Sequence, residues 1–109
     1  MMMKPNLQGM MKQIQDKIAQ TQAALENMTI TSDAGGGMVK VTANGRQQIT
    51  GIKIEKEVVN PEDVEMLEDL VAAAVNKALE ESGKMAQQEM AKATSGLLPN
   101  IPGLTIPGL

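Results

Sequence analysis

Residues 28–45 read MTITSDAGGGMVKVTANG, and two strands can be parsed from them. Apolar and polar residues alternate along Met28-Thr29-Ile30-Thr31-Ser32, a turn follows at Asp33-Ala34-Gly35-Gly36-Gly37, and alternation resumes along Met38-Val39-Lys40-Val41-Thr42-Ala43 before a second turn at Asn44-Gly45. A period of two, punctuated by Gly, Asn and Asp, marks antiparallel strands. A third strand is predicted from Gln47 to Lys56. Ile52 and Ile54 share a face in it, Ile49 is out of step, and Gly51 between them suggests a bulge. The product is a three-stranded meander with one apolar face. Lys40, Thr42, Lys53 and Glu55 point to water, with Met38 on that same side.

On either side the period becomes helical. Before the meander, Leu7, Met11, Ile14, Ile18, Thr21, Leu25 and Met28 follow a 4-3-4-3 spacing, with Gln, Lys and Asp on the other faces. That seam reads as a helix packed on one partner helix; the spacing alone does not exclude an amphipathic helix covering a sheet. After the meander, Asn60-Pro61-Glu62-Asp63 reads as a helix start, with Asn60 as N-cap and Pro61 at the first position. The helix is predicted to run to Thr94 or Ser95. Val64, Leu67, Leu70, Val71, Ala72, Ala74, Val75, Ala78 and Leu79 fill about half its circumference, wider than the ~100° stripe of a single contact. Two surfaces are therefore expected to cover it: the meander, and either a partner subunit or the first helix. Val64, Leu67, Leu70, Val71, Ala74, Val75 and Ala78 are the predicted core or dimer-interface positions. Gly83 costs about 1 kcal/mol relative to Ala, and softer residues (Met85, Ala86, Met90, Ala93) follow it, so the distal half is expected to be looser. Gly96 is a C-cap candidate.

The chain divides into one domain, residues 1–96, and a Pro/Gly-rich tail, residues 97–109, in which Ile-Pro-Gly-Leu occurs at 101–104 and again at 106–109. Proline excludes helix and central strand there. An extended segment anchored on the helices and a free tail both fit the composition.

At 109 residues, with ten methionines and no aromatic side chain, a single-chain core is small and weakly specified, so an oligomer is expected. Neither Cys nor His is present, which removes disulfides, the usual zinc ligands and the imidazole base. Without aromatics, single-stranded nucleic acid cannot be held by base stacking. No stretch approaches the ~20 apolar residues of a membrane span, and no secretory signal is evident at the N-terminus. A cytoplasmic location is the expectation.

The charge is uneven. The chain carries −3 overall, but residues 1–17 carry +2 (Lys4, Lys12, Lys17 against Asp16), residues 82–109 carry +1 (Lys84, Lys92 against Glu89), and residues 18–81 carry −6. If the two helices pack together, their ends remote from the sheet form a weakly basic tip on an acidic body. Two such tips in a dimer could grip a polyanion in one orientation. Ordinary solvated positions on amphipathic helices explain the same lysines.

Nothing in the chain resembles a catalytic site. Gly35-Gly36-Gly37 lacks the phosphate-loop pattern and opens no helix. The acidic pairs Glu62-Asp63, Glu68-Asp69 and Glu80-Glu81 fit capping and solvated faces, and Ser82 and Ser95 have no adjacent base other than Lys84. No enzyme, cofactor, metal or small-molecule substrate is expected.

Three blocks, Met10–Gln15, Gly36–Gly45 and Met66–Ala78, together with the closing Pro-Gly-Leu, closely resemble the YbaB/EbfC nucleoid-associated proteins, in the same order and across essentially the whole chain. The resemblance implies an α+β fold of helix, three-stranded antiparallel meander and long helix, dimerising near the sheet with protruding helical arms. It implies a bacterial, cytoplasmic, nucleoid-associated homodimer that binds double-stranded DNA through those arms and influences nucleoid organisation and gene expression. Carried to this chain, the arm positions are Lys4, Lys12, Lys17, Lys84 and Lys92. This chain departs from the family pattern in being acidic and in having one arginine, Arg46. The alternative is an assembly module of the same fold, in which the Met-rich arms and the tail grip another protein.

Overall fold

A computed structural model describes residues 7–95. The order is α1 (Leu7–Leu25), β1 (Thr29–Ala34), β2 (Val39–Asn44), β3 (Ile49–Ile54), a short 3-10 turn (Lys56–Val58) and α2 (Val64–Ser95). The sheet is an antiparallel meander in the order β1-β2-β3. This is the α+β arrangement expected, with local corrections. The tail reading and the Gly96 cap lie outside the described residues.

α1 stops at Leu25, short of the Met28 predicted, because the chain tightens into three-residue turns: Asn27 donates to the Ala24 carbonyl and Met28 to that of Leu25. The seam is nonetheless the buried side. Leu25 is buried, and Ile14, Ile18, Thr21 and Met28 are half-buried. At the start of α2 the cap is Asp63, not Asn60: the Met66 N–H donates to Asp63 Oδ1 at 3.2 Å, three residues on. Asn60 instead closes the preceding turn by accepting from the Glu62 N–H at 3.0 Å. An N-cap carboxylate faces the positive end of the helix, which explains why it wins that position.

β3 is shorter than the predicted Gln47–Lys56. Thr42 faces Gly51 while Ala43 faces Ile49, so Thr50 is the extra residue of a bulge. The bulge brings Ile49 into phase with Ile52 and Ile54, which face Val41 and Val39. Met38 lies in the Gly35–Met38 turn after three glycines at positive φ, leaves the polar face, and packs against the core. The second turn is Gly45–Arg46–Gln47, in which the left-handed residue is Gln47 (φ 58°). Gly45 serves another purpose. A Cβ there would stand 2.8 Å from the Leu25 carbonyl oxygen and 2.9 Å from its Cβ, so glycine is what lets the end of α1 touch the sheet.

α2 crosses the β1 and β2 side of the sheet. Ala74 and Ala78, one turn apart, are fully buried against Val39, Val41 and Ala43, and Ser82, one turn further on, is fully buried as well. Small residues bring the helix axis close, and Ser82 Oγ donates to the Asn44 carbonyl at 2.5 Å. Leu67, Leu70, Val71 and Val75 close the flanks half-buried, while Val64 stays exposed. The helix continues unbroken through Gly83 to Ser95, roughly 48 Å at 1.5 Å per residue.

Gly45→Ala is expected to destabilise the protein by about 1–3 kcal/mol through overpacking against Leu25. Gly51→Ala, where nothing lies within 4 Å of the new Cβ, is expected to change stability by no more than about 0.5 kcal/mol. Urea denaturation followed by far-ultraviolet circular dichroism checks the contrast; equal midpoints would refute the close-approach role.

Candidate nucleic-acid interface

Both helices leave the sheet from one corner. The Gly45 N–H donates to the Leu25 carbonyl at 2.8 Å and to that of Met28 at 2.9 Å, and the neighbouring Asn44 carbonyl receives Ser82. From there α1 runs outward toward its N-terminus and α2 toward its C-terminus, forming an antiparallel arm. Lys17, Gln20, Thr21 and Ala24 of α1 line one groove with Glu89, Lys92 and Ala93 of α2, and Met28 lies at its root.

This geometry separates the predicted lysines. Lys17 and Lys92 border the same groove. Lys12 lies five residues further out on α1, about 7.5 Å along the axis. Lys84 is at the root, where it lines a second concavity with Thr29, Ile30 and Glu81. Lys4 lies outside the described residues. Two of the lysines are paired: Lys84 with Glu80 and Lys92 with Glu89, each at 3.4 Å. Such exposed pairs contribute little to stability, but each places a negative charge beside its lysine. Lys12 and Lys17 make no ion pair among the described residues. Among the described residues they are the unpaired cations of the arm.

Most of the acid lies on the body, with Asp16 and Glu89 on the arm. Asp33, Glu57, Glu62, Asp63, Glu65, Glu68 and Asp69 are exposed around the sheet and the first half of α2. Glu81 is held inward by a 2.9 Å hydrogen bond from Ser32 Oγ. Sequence reasoning missed the position of Arg46. It sits on the β2–β3 turn beside the arm root, 4.0 Å from Glu26, with both side chains more than half exposed. Its place within residues 18–81 put it among the body charges; only the corner contact between α1 and Gly45 brings it to the arm.

A second feature was only half legible. The apolar face of the meander was expected to lie under α2, yet α2 covers β1 and β2 and leaves β3 open. Ile49, Ile52 and Ile54 are 37%, 48% and 38% exposed. The Gln47 side chain donates to the Leu79 carbonyl just ahead of β3, so the Val75–Leu79 side of α2 borders this strip. Among the described residues there is no group of three or more His, Cys, Asp or Glu able to hold a metal ion, and no helix long and apolar enough to cross a membrane.

Residues 2–97 match the family model of the YbaB/EbfC DNA-binding family. The chain is similar to a nucleoid-associated protein of Syntrophobacter fumaroxidans, 54% identical over 90% of this chain and 87% of the relative. It is also similar to one of Desulforamulus reducens, 51% identical over 94% of this chain and 99% of the relative. A crystal structure of an uncharacterized protein from Helicobacter pylori shares the fold, with a TM-score of 0.71 at 23% identity over 88% of this chain and all of that one.

Proposed function

The chain belongs to the YbaB/EbfC DNA-binding family, and on that premise we propose that it acts as a homodimer that holds double-stranded DNA by its phosphate backbone through the lysines of paired helical arms. The observation that carries the reading is the arm itself: Lys12 and Lys17, without carboxylate partners among the described residues, project from a body of opposite sign. Lys92 joins them across the groove, Lys84 supplies charge at the root, and Lys4 precedes α1. A duplex is drawn to the arms and turned away from the body, which sets one docking orientation.

Lysine meets phosphate as a point charge, so contact reads backbone and shape more than base identity. The setting is the nucleoid in the bacterial cytoplasm, where such binding influences DNA organisation and gene expression.

The second copy is called for by the β3 strip. β3 is an edge strand carrying Ile49, Ile52 and Ile54 on an open face. An edge of this kind invites pairing or burial. Joining the same strip on two chains about a twofold axis is self-complementary, covers the exposed isoleucines, and sets two arms at a fixed separation.

The double variant Lys12→Glu/Lys17→Glu is expected to weaken duplex binding at least tenfold. It should also flatten the plot of log affinity against log salt between 50 and 200 mM by about 3 to 4, since a dimer loses four lysines at roughly 0.9 each. Fluorescence anisotropy with a labelled duplex measures both, and an unchanged slope would remove these lysines from the contact.

Ile52→Asp is expected to raise the dimer dissociation constant by a hundredfold or more, given about 3–5 kcal/mol for a buried unpaired charge, while the circular dichroism spectrum is retained. Sedimentation velocity showing wild-type dimer would contradict the β3 interface.

A further inference from the structure

The turn that carries Arg46 is fixed from two directions. Asn44 Oδ1 accepts from the N–H groups of Arg46 at 2.9 Å and of Gln48 at 3.1 Å, and the Asn44 carbonyl accepts from the Gln47 N–H at 3.0 Å. Gln47 then reaches across to α2, where its Nε2 donates to the Leu79 carbonyl at 3.3 Å. Gly83 makes the room. A Cβ there would stand 3.0 Å from that nitrogen, which gives a use to a glycine otherwise unfavourable inside a helix. Arg46 thus stands on a short turn tied to both β2 and α2, at the place from which the arm departs.

Its surroundings along α1 hold little acid. Gln8, Gln15, Gln22 and Glu26 follow at spacings of seven, seven and four, all of them exposed, and residues so spaced share one face of a helix. Glu26 is the member that approaches Arg46, so the row runs up the arm on the Arg46 side, with Lys12 between Gln8 and Gln15. Asp16 is two residues from both Ile14 and Ile18 of the seam, which puts it on the far face of the helix. The one carboxylate of the row is therefore Glu26. It lies 4.0 Å from the guanidinium with both side chains more than half exposed, too far for a hydrogen bond and too solvated to hold the arginine firmly.

We propose that Arg46, the sole arginine of the chain, is a further DNA contact, taking a phosphate of the duplex at the root of each arm through two guanidinium N–H groups. The proposal rests on the reading above, in which two copies join at β3 and hold a duplex through their arms. The β2–β3 turn leads directly into β3, so joining there brings each Arg46 toward the partner, to the floor of the space between the arms. A planar fork that meets two phosphate oxygens at once fixes depth and angle, which a lysine on a flexible stem does not. The arm lysines attract the duplex; Arg46 seats it.

Fluorescence anisotropy with a labelled duplex, read across a salt series, tests the assignment. Arg46→Ala is expected to weaken binding about fivefold and to flatten the plot of log affinity against log salt by about 1.8, since a dimer loses two arginines at roughly 0.9 each, with circular dichroism and sedimentation unchanged. Arg46→Lys keeps the charge and is expected to restore the slope but not the affinity. Glu26→Gln frees the guanidinium and is expected to tighten binding about twofold. Wild-type affinity and slope in Arg46→Ala would overturn the contact, and full recovery of affinity in Arg46→Lys would overturn its two-point form. Binding that is lost in Lys12→Glu/Lys17→Glu but kept in Arg46→Ala removes Arg46 alone and leaves the paired-arm reading standing; binding kept in both removes that reading as well.

Discussion

One backbone amide holds the architecture together. The Gly45 N–H is shared between the carbonyls of Leu25 and Met28, and this bond ties the end of α1 to the β2–β3 turn. The adjacent Asn44 is consumed on every side. Its carbonyl takes Ser82, its Oδ1 accepts from the N–H groups of Arg46 and Gln48, and its Nδ2 donates to Gln48. Asn44 is 3% exposed and Ser82 fully buried, so losing any of these partners leaves a polar atom without solvent, a penalty of about 1–3 kcal/mol. The corner is rigid because it has no cheap alternative. Both helices are aimed from it, and the arm inherits its direction.

That corner also marks the limit of what could be read from the chain. The strands were legible because alternation is a local property, and α1 was legible because its seam is regular over several turns. The Thr50 bulge was visible only as a phase error, Ile49 against Ile52, with Gly51 as the nearest suspect. The role of Gly45 was harder still. As part of Asn-Gly it reads as a turn former, yet the left-handed position went to Gln47. What Gly45 supplies is clearance from Leu25, twenty residues earlier, and a contact between distant segments leaves no periodic trace. The displacement of the α2 cap from Asn60 to Asp63 is of another kind: both residues accept hydrogen bonds from residues just downstream, and local chemistry did not rank them.

At the candidate interface the sequence supplied the cations but not their circumstances. Five lysines read alike on a helical wheel. Folding separates the four that are described into a root lysine beside Glu80, a groove lysine beside Glu89, and two that stand alone among the described residues. Because Glu80 precedes Lys84 by four residues and Glu89 precedes Lys92 by three, those pairings follow from helix geometry. They were within reach of the sequence once the helix was granted. No spacing rule could have placed Lys17 and Lys92 on one groove, since that depends on how far α1 is slid along α2, which the corner sets.

The bare strip on β3 has a physical origin that bears on what it can bind. The β3 strip is bare because α2 lies across the other two strands, with Ser32–Glu81 and Ser82–Asn44 as its polar anchors. α2 cannot move onto β3 without breaking both anchors. Only another molecule, or a segment outside the described residues, can cover it.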